Sequence, residues 1–235
     1  MAIPTNHYQA AFAKYRQGLA AAVNFTDGDL THTAQTRRRH QGVMEARRDL
    51  YKVIPAAPTL PTTTRATVIG GLAPRTADAV AVQAREFGIV ERLLAKGQPI
   101  EAIIRDASPE RLAAIASNAE VLPRVLESGE GAKVIEGVHD QVFDRLLALG
   151  DPAAENVSAM EAIYGTQAAW HQFLTESLEG TAGIDARMAL YNADPEGYQA
   201  VVGSEAAGGV APSDIDTKVS SLDRTMGVGS AKAGV

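Results

Sequence analysis

Seven basic side chains crowd one stretch of the sequence: Arg37, Arg38, Arg39 and His40 in a run, then Arg47, Arg48 and Lys52. Cationic groups at this density suit a polyanion, either nucleic acid or an acidic protein surface. Glu45 and Asp49 lie among them, so the same pattern also reads as a solvated helix face with partial internal partners. His40 and Arg47 fall on the apolar arc of the pattern, seven residues apart. Long stems there cover apolar surface while the charge reaches a partner at an interface rim. A second constellation lies near the end of the chain. Ile215, Val219, Leu222 and Met226 recur at spacings of four, three and four behind Ser213. This is either a weak amphipathic helix in a tail or a docking helix that lays its stripe into a groove on a neighbour.

Catalytic signatures are scarce. The sequence has no Cys, hence no thiolate nucleophile, thiolate metal site or disulfide. It contains no phosphate-binding G-x-x-x-x-G-K-[ST], no G-x-S-x-G and no H-E-x-x-H. Gly227-Val228-Gly229 lacks both a third glycine and a preceding strand. Glu136 and His139 form an E-x-x-H pair, the unit that supplies two ligands in di-iron bundles. Such a site needs two of these units and two further carboxylates, so a surface pair is the better reading. Asn24, Asp27, Gly28 and Asp29 resemble a cation loop but lack the closing Glu, and a turn followed by a helix cap accounts for them. Asp214 and Asp216 read as first-turn acids complementing a helix dipole. A helix-turn-helix drawn around Asp106-Ala107-Ser108-Pro109 would offer Arg111 and Asn118 on a nearly neutral second helix, which fits bundle packing better than base readout. No catalytic, metal or cofactor-binding residue is assigned, no cofactor is expected, and the chain is read as a non-enzyme.

The elements that must position these residues are helical. The 235 residues include 42 Ala but only 5% aromatics, with 46% hydrophobic and 21% charged residues. Alanine favours helix and close helix approach, but each buried Ala contributes little transfer energy. Such a chain gains from packing against copies of itself. The fold class expected is all-α: an N-terminal helical hairpin, an extended Pro/Thr-rich arm, a multi-helix bundle and a flexible tail with one short amphipathic helix. The composition divides at residues 1–54 (basic hairpin), 55–75 (linker arm), 76–203 (acidic bundle) and 204–235 (Gly/Ala/Ser-rich tail, with the helix at 213–226).

Tyr8, Phe12, Tyr15, Leu19 and Ala22 mark one face of a first helix over about 6–23. Asp29 is expected to cap a second helix running to about Ile54, with Val43, Met44, Leu50, Tyr51 and Ile54 on its apolar arc. Pro55, Pro58, Pro61 and Pro74 break the pattern, and Ala66-Thr67-Val68-Ile69 suggests a short strand within the arm. Beyond it, Thr76, Ser108-Pro109-Glu110 and Asp151-Pro152 open helices, while Gly97, Gly150 and Gly180 close them. Val80, Ala84, Phe87, Val90 and Leu94 mark the face of the helix after Thr76, and Leu122, Val125 and Leu126 that of a later short one.

Charge is polarised along the chain. Residues 1–76 carry ten Lys/Arg against four Asp/Glu, and residues 77–235 carry twelve against twenty-four. The formal total of −6 thus hides a basic hairpin and an acidic remainder. This suits head-to-tail contacts between copies better than binding of a long polyanion, which the acidic bulk would repel. No apolar run approaches the ~18 residues of a membrane span, and the start of the sequence lacks a basic region followed by an apolar core. The expectation is therefore a non-enzymatic structural or assembly protein, cytoplasmic or particle-associated. It would be a homo-oligomer or a subunit of a larger assembly such as a virion, with no membrane partner. The alternative is a nucleic-acid-associated regulatory protein using the basic second helix.

Overall fold

Thr5 and its neighbours lead straight into the first helix of a computed structural model that describes residues 4–206 and 212–227. Among the described residues there are twelve α-helices, one short 3-10 turn and no strand. The chain falls into two units: the residues up to Thr59 together with those from Ala162, and an inserted stretch, Leu60–Glu161.

The first unit is built on α1 (Asn6–Val23) and α2 (His32–Tyr51). The aromatic face of α1 is buried as expected, with Tyr8, Phe12, Tyr15, Leu19 and Ala22 all inside. The cap of α2 is Thr31, whose side chain accepts from the Ala34 amide, and not Asp29. Asp27 stabilises the preceding turn instead, its Oδ1 accepting from the Asp29 amide at 2.9 Å. The helix stops at Tyr51, short of Ile54. Val43 and Leu50 point inward, but Met44 and Tyr51 point to solvent. The inward arc is narrower than the sequence suggests because α1 and α2 approach on small residues. A Cβ on Gly42 would lie 2.9 Å from that of Ala22, and one on Gly18 would lie 3.1 Å from that of Ala46.

The rest of this unit comes from the second part of α9 (Pro152–Glu179), α10 (Ile184–Ala193), α11 (Pro195–Ala206) and α12 (Pro212–Thr225). Trp170, Phe173 and Leu174 of α9 are fully buried. The Phe12 and Phe173 rings lie 5.0 Å apart, and Trp170 meets Phe173 edge-on. The indole N–H of Trp170 donates to Asp194 Oδ2, while Asp194 Oδ1 caps α11 through the Gly197 amide. Gly197 is required here, since a Cβ would strike the Asp194 carboxylate and come within 2.7 Å of Trp170. Arg187 joins α10 to α11 by a bidentate pair with Glu205.

The inserted unit corrects the expectation of an extended arm with a strand at 66–69. Arg65–Gly71 forms a helix, α3. Thr64 and Thr67 cap it reciprocally, and Val68 and Ile69 are buried against the core. Burial on a helical face overrides the strand preference of the β-branched run. After it come α4 (Ala77–Ala95), α5 (Ile100–Arg105), α6 (Pro109–Ser117), a 3-10 turn at Ala119–Val121, α7 (Pro123–Leu126), α8 (Gly131–Ala148) and the start of α9.

The expected punctuation holds there. Thr76 and Ser108 accept from the amides of Ala79 and Arg111, and Asp151 accepts from those of Ala153 and Ala154. Gly97 takes a φ of +81° and lets the Gln98 amide reach the Leu93 carbonyl, which closes α4. The core is aliphatic, with Val90, Leu112, Ile115 and Val142 around Phe143. Val80, expected on the apolar face of α4, is exposed because that helix turns Gln83, Glu86 and Val90 inward instead; Leu126 of α7, also expected on an apolar face, is exposed as well.

Candidate functional site

The basic second helix and the C-terminal helix, read separately from sequence, are brought together. Helix α12 lies against α1 and α2. Ile215 and Val219 are buried, Leu222 is half-buried and Met226 is exposed. Ile215 and Val219 join the core cluster of the α1–α2 hairpin, and Leu222 packs against it. The tail segments 207–211 and 228–235 lie outside the described residues.

Two charged contacts fix α12 in register. Asp216 takes Arg16 Nη1 at 2.6 Å and the Thr181 hydroxyl at 2.8 Å. About two helical turns later, Asp223 receives both terminal nitrogens of Arg47, at 3.1 and 2.7 Å. His40 Nε2 stands 3.8 Å from the same carboxylate. Both partners of the Arg47–Asp223 pair are only 19% exposed. Burial disfavours the charged Arg47, but the hydrogen bond and charge of Asp223, with Tyr15 adding to them, outweigh it and leave its pKa raised. Tyr15 is buried beside them and donates to the Ser177 carbonyl at 2.9 Å. Burial raises its pKa against the opposing pull of Arg47 and Arg16.

The remaining cations of α2 point elsewhere. Arg39 donates to the Phe25 carbonyl at 2.8 Å, Arg38 to the Gln41 side chain and Lys52 to Asp49. Arg37 and Arg48 are exposed and make no ion pair among the described residues. Sequence reasoning missed Arg16 and gave Asp216 only a dipole role. The signal was present, for Asp216 and Asp223 are seven residues apart on one edge of the Ile215–Val219–Leu222 stripe.

The other chemical candidates stay apart. His139 Nε2 faces the Ala116 carbonyl at 3.2 Å while Glu136 is exposed. Among the described residues no three His, Asp or Glu side chains are grouped to hold a metal ion. Arg111 pairs with Glu86 at 3.0 Å, and Asn118 donates to the Ala114 carbonyl, so the helix-turn-helix drawn from sequence has its polar contacts turned into the protein.

Two surfaces stay open among the described residues. On α10, Ile184, Met188 and Tyr191 are 76%, 53% and 47% exposed at spacings of four and three. In the inserted unit a groove of about 790 Å³ has Phe87, Leu94, Leu122 and Val138 in its lining, with Glu91 and Glu127 at its rim. No described helix is long and apolar enough to cross a membrane. Comparison with family models, with curated proteins and with solved structures finds no match.

Proposed function

We propose that this chain is a non-enzymatic structural or assembly protein that forms an oligomer or a multi-subunit particle, virion-like particles among them, through exposed helix faces. The observation that carries this reading is the α10 stripe. Three large apolar side chains in helical register face water there, and burying each in full would contribute roughly 1.5–3 kcal/mol. A row of this kind belongs against another helix. The charge polarity of the chain supports the same reading, since unlike surfaces on one molecule favour head-to-tail addition. A polyanion partner for α2 is less well supported, because Arg39, His40 and Arg47 are turned toward groups of the chain itself.

Size-exclusion chromatography with light scattering tests the proposal. The expected result is an oligomer, or a stable complex with a co-purified partner, whose mass falls when Ile184→Lys and Met188→Lys are introduced together. A wild-type monomer that ignores concentration, salt and every co-purifying protein would overturn it.

A further inference from the structure

We propose that the outward face of α2 in one molecule docks into the acidic-rimmed groove of the inserted unit in a second copy of this chain. The inference rests on the assembly reading and names two of its surfaces. The outward face is a single stripe: Arg37, Gln41, Met44, Arg48 and Tyr51 follow one another at spacings of four, three, four and three. It runs about 21 Å along the helix. All five residues are exposed, Tyr51 by 72%. The face thus presents two apolar side chains and two arginines that have no ion-pair partner among the described residues.

The groove offers the complement. Phe87, Leu94, Leu122 and Val138 give it an apolar floor, and Val121 lies exposed at its edge. Of the three rim glutamates, Glu101 is paired with Arg124. Glu91 and Glu127 are exposed and make no ion pair among the described residues. Two unpaired acids beside an apolar floor match two unpaired arginines beside a methionine and a tyrosine. Arginine and tyrosine are also the side chains most often found as anchors in protein interfaces. The two patches differ, so the contact is heterologous and propagates into a ring or a filament. A single helix face in a single groove is a small interface, and its rim charges are solvated. The association is therefore expected to weaken with dilution and with salt.

The test uses the full chain with Ile184→Lys and Met188→Lys, so that α10 does not contribute. One version adds Arg48→Ala and Tyr51→Ala, and the other adds Glu91→Lys and Glu127→Lys. All four added positions are exposed, so the fold, checked by circular dichroism, is unchanged. The α10-altered parent is expected to self-associate at low salt, and each version alone to lose that association. An equimolar mixture is expected to give a one-to-one dimer that grows no further, because only one intact stripe and one intact groove remain. A parent that does not self-associate, a version that keeps the parent's mass, or a mixture that stays monomeric would overturn the inference. So would a stripe version that keeps its mass and loses only retention on heparin, which would assign the stripe to a polyanion. Each of these leaves the assembly reading standing if the unaltered chain is oligomeric. A wild-type chain that is monomeric and partnerless overturns both.

Discussion

The two units are both helical, yet they solve the problem of a ring-poor sequence in opposite ways. The unit built on α1 and α2 gathers most of the large rings, with Trp170, Phe12, Phe173, Tyr8 and Tyr15 in one cluster. It locks that cluster with buried polar groups. The inserted unit has one buried ring, Phe143, inside a core of Ile, Leu, Val and Ala. Its densest polar contact lies outside: Arg65 meets Glu161, Asp140 and Asp144 while its guanidinium lies 4.6 Å over the Phe143 ring. Arg47 and Arg65 each engage carboxylates, but the first is 19% exposed and the second 40%. The contrast separates polar groups that the core depends on from polar groups that decorate it.

The largest expected effect is at the ring cluster. Trp170 is fully buried and supports Asp194, which in turn caps α11. Trp170→Ala leaves a cavity and strips a hydrogen bond from that cap. Urea denaturation should report a loss of about 3–5 kcal/mol. An equal loss from Phe143→Leu, a change that keeps most of the buried volume, would erase the distinction between the two cores.

Next comes the clasp between α12 and the hairpin. Asp223→Ala removes the carboxylate that receives Arg47 and faces His40. Arg47 is then left poorly solvated without its partner, at a cost of about 1.5–3 kcal/mol. Limited proteolysis should cut within α12 (Pro212–Thr225) faster in this variant. Because the pair is only 19% exposed on each side, added salt should change the difference from wild type little. A difference that vanishes in high salt would place this pair with the solvated contacts of the inserted unit.

Tyr15 gives the same unit a pH signature. Its folded pKa is raised above the ordinary tyrosine value, chiefly by burial. The folded state therefore holds the phenolic proton more tightly than the unfolded state. This stability is fully present below the unfolded tyrosine pKa and is lost as pH rises through the higher folded value. Tyr15→Phe should cost about 0.5–1.5 kcal/mol at neutral pH, through the lost bond to the Ser177 carbonyl. The same variant should flatten the alkaline fall in stability. An alkaline limb as steep as wild type would assign the titration to other groups.

The parts of this structure legible in sequence were those set by local chemistry. The α1 face followed from ring spacing, and the helix ends at Thr76, Gly97, Ser108 and Asp151 followed from caps that need only their own few residues. What was not legible depended on distant partners. Thr67-Val68-Ile69 has strand chemistry, and only the core that buries Val68 and Ile69 makes it a helix. Met44 and Tyr51 looked like core residues because periodicity alone does not reveal how narrow a helix contact becomes when Gly42 meets Ala22. In the candidate site the cations of α2 were evident, but their division was not. Assigning Arg47 to Asp223 and leaving Arg48 free requires knowing where α12 lies, 176 residues further on.

The smallest expected effect tests the solvated side of the comparison. Arg65 makes three hydrogen bonds to Glu161, at 3.0–3.1 Å, and longer contacts to Asp140 and Asp144. Hydrogen bonding to Glu161, with the charges of Glu161 and the two aspartates adding to it, raises its pKa despite some desolvation. At 40% exposure its ion pairs are screened by water and salt, so their count overstates their worth. Arg65→Gln keeps a stem over Phe143 and removes the charge. The loss should be about 1 kcal/mol or less, and it should shrink further in high salt, opposite to the behaviour expected of Asp223→Ala. Measured side by side, the two salt responses decide whether burial or the number of carboxylates sets what an arginine contributes in this protein. A salt-resistant loss of several kcal/mol at Arg65 would mean that the acids around it act as a fixed network, and that the inserted unit, like the other, is held from a polar centre.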